Sequence, residues 1–313
     1  MNPPRAPRAL VTEAAGLHFQ NPLLLAAGTA AYGRELREVM ALNELGGLVT
    51  KAVSLEPRAG ASAPRVADFD GGMINAVGLA NPGADDVRAL HLPWLAGEMR
   101  DARVLVNVVG RVVEDFGEVV TRLDDAAGFD AYELNVSCPN TRAGGMEFGA
   151  DPVALAAVVT RARSATRRPL FVKLSPTVPD IGSIAACAVD AGADGITVVN
   201  TIPGLVIDSR TRRPVLGFGA GGVSGPGLRP VGVLATWKVH QAVRVPVIGV
   251  GGISTADHVL EYLIAGASLV AVGTAALADP GAPGRIVRDL ATWCELHDVS
   301  RLADLVGTLQ MPG

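Results

Sequence analysis

The chain has few cysteines, lysines or aromatic residues, and each shortage excludes something. Its cysteines, Cys138, Cys187 and Cys294, lie far apart. No CxxC pair is therefore present to hold a metal or an iron–sulfur cluster, and a reducing compartment is expected. Lysine is nearly absent: the basic residues are arginine except at Lys51, Lys173 and Lys238. With 27 basic against 31 acidic residues and a net charge of −4, there is no electrostatic footprint for nucleic acid. No run reaches the roughly 18 apolar residues needed to span a bilayer. The first residues, with Pro3, Pro4 and Pro7 among them, lack the apolar core of a signal peptide. A cytoplasmic protein without membrane contact is the expectation. No GxGxxG follows the first apolar run, which counts against an open dinucleotide-binding sheet.

What is present is a regular alternation. Hydrophobic residues make up 49% of the 313, and glycines number 37. Apolar runs bounded by glycine or a small polar residue occur at 23–29, 47–53, 104–110, 132–138, 170–175, 195–201, 245–252 and 269–274. Parallel strands buried on both faces read as continuous apolar runs of this kind. Helical patterns lie between them at 152–164, 181–191, 228–242, 255–265 and 284–297. The alternation predicts one domain over residues 1–313, an α/β (β/α)8 TIM barrel, with a short N-terminal hairpin across 11–21. Two connections are too long to be turns: 54–103 after the second strand and 202–227 after the sixth. Insertions on the carboxyl face of a barrel build or cover its active site.

Polar residues gather at the strand ends: Thr29, Lys51, Asn107, Asn135 with Cys138, Lys173, Asn200 with Thr201, Gly251 with Gly252, and Gly273 with Thr274. Barrel enzymes do their chemistry on that face. Two of the few lysines fall there, where a compact ammonium on a flexible stem differs from arginine. Asn135, Cys138 and Asn140 surround the point where Pro139 forces the chain out of the ladder; the alternative for this stretch is a buried thiol before a loop. The glycines of 249–253 lead into a helix start at Ser254-Thr255 and, with Gly273-Thr274, have the form of a barrel phosphate site. A phosphate anchor, strand-end lysine, several amides and one thiol suit a flavin mononucleotide (FMN) oxidoreductase. The lysine would balance negative charge on the reduced ring, and the thiol could act as general base. A phosphate-binding isomerase barrel without redox chemistry is the alternative from another class. The histidines have no ligand-like spacing, Cys187 and Cys294 read as fillers within helices, and Asp124-Asp125 reads as a solvated helix face.

In order and spacing, several stretches together resemble dihydroorotate dehydrogenase over nearly the whole chain. They are 75–79 (NAVGL) with Asn81-Pro82-Gly83, 135–140 (NVSCPN), 171–175 (FVKLS), 199–201 (VNT), 221–226 (GGVSGP), 249–253 (GVGGI), 265–268 (AGAS) and 272–274 (VGT). The resemblance implies an enzyme oxidising (S)-dihydroorotate to orotate in pyrimidine biosynthesis, with one FMN per chain. It implies Cys138 as catalytic base of the cysteine-type class. It implies substrate contacts from Lys51, Asn75, Ala76, Val77, Gly78, Leu79, Asn135, Asn200 and Thr201. Flavin contacts are implied for Ala27, Lys51, Ala52, Asn107, Asn135, Lys173, Val199, Gly225, Gly251, Gly252, Gly273 and Thr274. No metal site is implied. Ala27 departs from the serine common in the family, so a contact there would come from backbone or from Thr29. The stretch 141–152 is similar to the NAD-linked subclass, which implies a homodimer core joined to a second subunit carrying FAD and a [2Fe–2S] cluster. A fumarate-linked homodimer is the alternative within the class.

Overall fold

The computed structural model of the chain describes residues 8–137 and 147–312. All eight apolar runs contain a strand: β1 (Leu23–Leu25), β2 (Gly47–Val49), β3 (Arg103–Val108), β4 (Ala131–Asn135), β5 (Leu170–Leu174), β6 (Gly195–Val198), β7 (Val247–Val250) and β8 (Leu269–Val272). Each pairs in parallel with its sequence neighbours, and β8 closes on β1, giving the predicted barrel. The strands are shorter than the runs because the terminal glycines and polar residues leave the ladder to form the mouth.

Alternation along each strand sorts side chains into two cores. Leu24, Val49, Leu105, Ala131, Phe171, Ile248 and Leu269 point inward and pack on one another. The antiparallel hairpin of Thr12–Ala14 and Leu17–Phe19 contributes Ala14 and Phe19 to the same cluster, plugging the amino end of the barrel. Phe171 fills the space beside Gly195, where a Cβ would lie 2.3 Å from its ring; the sixth strand needs glycine at that level. Outward residues such as Val106, Tyr132, Leu134 and Val172 join the larger core beneath the helices. Burying each such side chain stabilises by about 1.5–3 kcal/mol.

Helices α1 (Leu92–Glu98), α2 (Val113–Leu123), α3 (Pro152–Arg163), α4 (Ile181–Asp190), α5 (Arg229–Ala242), α6 (Ala256–Ala265), α7 (Thr274–Ala278) and α8 (Ala282–Leu296) surround the barrel. In α2, Phe116, Val119, Val120 and Leu123 form the buried stripe expected at helical spacing. The reading of Asp124-Asp125 as a solvated face fails for Asp124. That residue caps the end of α2, and its Oδ1 accepts from the hydroxyls of Tyr132 and Thr166. The corner between α2, β4 and β5 gathers two hydroxyl donors on one oxygen, with the Arg168 guanidinium 3.7 Å away.

The two long insertions converge. Val66–Phe69 and Gly72–Asn75 from the first, and Ile202–Gly204 and Gly221–Ser224 from the second, form one antiparallel four-stranded sheet. Asn75 lies opposite Gly222 in its register. The connections leave the carboxyl ends of β2 and β6, so this sheet caps the barrel mouth.

Candidate active site

One tier above the apolar interior, alternation turns Asn107, Glu133, Lys173 and Thr197 inward from four consecutive strands. Asn107, Glu133 and Thr197 are each 1% exposed and Lys173 is 7% exposed. Asn107 pairs in register with Glu133, and Lys173 with Thr197 and with Asn135. The Asn107 Nδ2 donates to Glu133 Oε1 at 2.8 Å. Its other end, Oδ1, is buried without a hydrogen-bond partner, as is Thr197 Oγ1. Lys173 has no hydrogen-bond or ion-pair partner among the described residues. A buried polar atom left unpaired costs about 1–3 kcal/mol, and more when charged. A tier that concentrates such groups is built to meet a polar ligand.

Beside these groups stand the amides expected to contact substrate. Asn200 Nδ2 donates to Asn135 Oδ1 at 3.4 Å, and Thr201 N donates to Asn200 Oδ1 at 2.9 Å. Lys51, half-buried just past β2, is anchored by its N–H donating to Ala31 O at 2.7 Å. Asn75 Nδ2 donates to Gly222 O at 3.2 Å, tying the end of one cap strand to its neighbour. The following loop turns back sharply: Gly78 and Leu79 have φ of +69° and +56°. A Cβ on Gly78 would lie 2.4 Å from Ala61 N. Leu79 packs on Ala52 and Val109, which brings the 75–79 loop to the ends of β2 and β3. Asn81 knits that loop together. Its Oδ1 accepts from Ser54 N at 3.2 Å and Gly83 N at 2.9 Å, and its Nδ2 donates to Ser54 Oγ and Leu79 O, each at 2.8 Å.

The glycines form a third group. Gly252, at φ +66°, has room for no side chain: a Cβ would lie 2.8 Å from Arg229 N and 2.9 Å from Gly225 O. Gly225 in turn packs against Gly72 of the cap sheet. Thr274 Oγ1 donates to Ser224 Oγ at 2.7 Å, and Gly273 lies beside Thr29 Oγ1. Gly225, Gly251-Gly252 and Gly273-Thr274 are thus drawn to one place from three segments. Tyr262 of α6 braces it, donating to Gly251 O at 2.7 Å. Val199 is buried and donates from its N–H to Val250 O, and half-buried Ala27 follows the Ala26 N–H bond to Val272 O. Both sit at the rim of the same mouth.

Cys138 lies outside the described residues, as does Asn140. Past them comes a carboxyl that the sequence analysis passed over. Glu147 Oε2 is buried without a partner; burial pushes the carboxyl pKa up, while the Ser175 hydroxyl pulls it down. Ser175 follows Lys173 on the same face of the fifth run, and its Oγ sits 2.7 Å from Thr177 Oγ1. Glu133, Thr197, Ser224, Tyr262 and Asn81 were also not assigned roles from sequence. Inward parity marks the first two; for the others, only the fold supplies the neighbour. Among the described residues no group of three or more His, Cys, Asp or Glu could hold a metal ion, and no helix is long and apolar enough to cross a membrane.

Comparison with known proteins agrees with this architecture. The dihydroorotate dehydrogenase family profile matches residues 9–293. A Solibacter usitatus protein named a putative dihydroorotate dehydrogenase A (fumarate) is 50% identical over 301 residues, covering 96% of this chain and 98% of its own. The catalytic subunit of dihydroorotate dehydrogenase B (NAD(+)) from Pelobacter propionicus is 44% identical over 296 residues, 95% of this chain and 97% of its own. Its counterpart from Desulforudis audaxviator is 46% identical over 299 residues, 96% of this chain and 97% of its own. With a match of that extent on a closed eight-stranded barrel, the chain belongs to the dihydroorotate dehydrogenase family of oxidoreductases.

Proposed function

We propose that this chain is the FMN-binding catalytic subunit of an NAD-linked dihydroorotate dehydrogenase, oxidising (S)-dihydroorotate to orotate. The observation that carries the flavin reading is the buried set of Asn107 Oδ1, Thr197 Oγ1 and a Lys173 without a partner among the described residues, beside a glycine cradle. These groups fit an isoalloxazine whose polar edge needs both donors and acceptors, and whose phosphate needs backbone N–H groups without intervening Cβ atoms. Asn107, Lys173 and Thr197 would hold the ring. Gly225, Gly251, Gly252, Gly273 and Thr274 would hold the phosphate, with Ala27, Lys51, Ala52, Asn135 and Val199 at the rim. FMN, when bound, supplies the hydride acceptor that no side chain provides.

The chain's own residues do the rest. Lys51 and the amides of Asn75, Asn135 and Asn200 hold the substrate carboxylate and ring edges, with Ala76, Val77, Gly78, Leu79 and Thr201 closing around them. A fixed pose matters because the proton on C5 and the hydride on C6 leave from adjacent carbons, and near-attack alignment contributes several kcal/mol to such a step. Cys138, as thiolate, takes the C5 proton. An ordinary thiol pKa is about 8.5, so turnover rises with pH toward that range unless the site favours thiolate.

The NAD assignment is supported by the names of relatives such as those from Pelobacter and Desulforudis, and by the 141–152 stretch. On this reading a homodimer core passes electrons to a partner subunit that carries FAD and a [2Fe–2S] cluster. The relative named for fumarate, at 50% identity, favours a second reading without partner. Both are tested together. The purified chain is expected to reduce its flavin with dihydroorotate, to form NADH poorly alone, and to form it rapidly with the iron–sulfur partner added. Rapid turnover with fumarate alone would select the second reading. Cys138→Ala should slow flavin reduction by about 10²–10⁴-fold while leaving FMN bound; near-normal stopped-flow reduction would remove Cys138 from the mechanism.

A further inference from the structure

We infer that Glu133 is a positioning residue that fixes the hydrogen-bond polarity and the charge of the flavin site through Asn107. This inference rests on the flavin reading above. Glu133 lies on β4 in register with Asn107 of β3, and two residues farther along the same strand Asn135 is in register with Lys173 of β5. It is 1% exposed, and its Oε1 accepts the 2.8 Å bond from Asn107 Nδ2. A carboxylate at this depth is costly to bury, and apolar residues fill the same face one tier below.

The chemistry of the pair supplies a reason for it. An asparagine amide can present either end to a neighbour, but an ionised carboxylate only accepts. Glu133 therefore holds the Nδ2 end, and Oδ1 must face away from it. Oδ1 is the buried atom left without a partner. The site then offers a fixed acceptor from Asn107 and a fixed donor from the Lys173 ammonium, on either side of the Glu133 strand. The complement is an imide edge, with an N–H donor flanked by carbonyl oxygens, which is the pyrimidine edge of a flavin. Glutamine at this position could donate or accept and would leave the Asn107 amide free to turn. The buried negative charge has a second effect. It opposes added negative charge on a ligand held by Asn107 and so restrains the preference of the site for the more negative, reduced form.

The test uses the whole chain. Flavin content, the midpoint potential from reductive titration, and the relative affinity of the deflavinated protein for FMN and N3-methyl-FMN are measured for wild type and Glu133→Gln. Wild type should prefer FMN over the methylated analogue by about tenfold or more, because a buried acceptor loses its donor. Glu133→Gln should retain FMN but lose most of that preference. Its relative affinity for reduced over oxidised flavin should rise about tenfold, a shift of about +30 mV for two electrons. Wild-type potential and wild-type preference in this variant would overturn the inference, as would a wild type that binds both flavins equally. Should Glu133→Gln not fold, Asn107→Ala severs the relay without touching the acid, and a preference preserved there overturns it equally. A wild-type chain that takes up no FMN at all would instead refute the flavin reading, and this inference with it.

Discussion

Replacing Asn81 by alanine should cost more than any other single amide in the first insertion, and the structure sets the scale. The side chain is 8% exposed and uses both ends twice. Asn81→Ala strands the N–H groups of Ser54 and Gly83, each a buried donor worth about 1–3 kcal/mol when unpaired. The other two partners lose less, because Ser54 Oγ still donates to Glu56 O at 2.7 Å and Leu79 O is only part-buried. A total of about 3 kcal/mol follows. Equilibrium urea denaturation followed by tryptophan fluorescence reads it, with Ser54→Ala as a control expected to cost about 1 kcal/mol. Because Nδ2 also holds Leu79, and Leu79 lies on Ala52, the variant should bind orotate more weakly even where it is fully folded. A loss below about 1 kcal/mol, or unchanged orotate affinity, would refute the claim that this amide organises the loop.

Gly252→Ala should lower FMN affinity by at least about tenfold, since the new methyl meets the backbone of Arg229 and Gly225 in a left-handed conformation; fluorescence titration of the deflavinated variant with wild-type affinity would contradict this. The His91 ring stacks on Tyr32 at 4.1 Å, and its Nδ1 is buried without a partner. Burial lowers its pKa against the opposing pull of Glu35. The unfolded chain therefore binds the proton first, and stability is lost as pH falls below the ordinary histidine value of about 6.5. His91→Phe should remove part of that loss, so melting temperatures at pH 7.5 and 5.5 should lie closer together than in wild type; an unchanged gap would count against it.

Much of the barrel was legible because its strands are buried on both faces and separated by ordinary helices. The mouth was legible in part because barrel topology sends strand ends to one place. Lys51, Asn107, Lys173 and Thr274 could be singled out by position alone. Glu133 could not, since an acid inside an apolar run declares itself only once alternation is anchored by neighbouring strands. Tyr262 escaped because its hydroxyl reaches Gly251 from another element. Asp124 was misread because charge alone suggests solvent, whereas the donors around it come from residues 132, 166 and 168. Nor does any local signal say that the two insertions share a sheet, because their pairing joins residue 75 to residue 222.

That shared sheet makes the mouth cover a joint product of two distant stretches of chain. Gly72–Asn75 can complete its outer edge only after the chain has run through β6 and returned with Gly221–Ser224. Pairings of such long sequence separation form late, because loop closure must precede their reward. The cover is therefore assembled on a barrel whose first six strands have already emerged. It also cannot be exchanged piecemeal. Transplanting one insertion into a related barrel would leave an unpaired strand edge over the mouth, whereas moving both together carries the whole interface across.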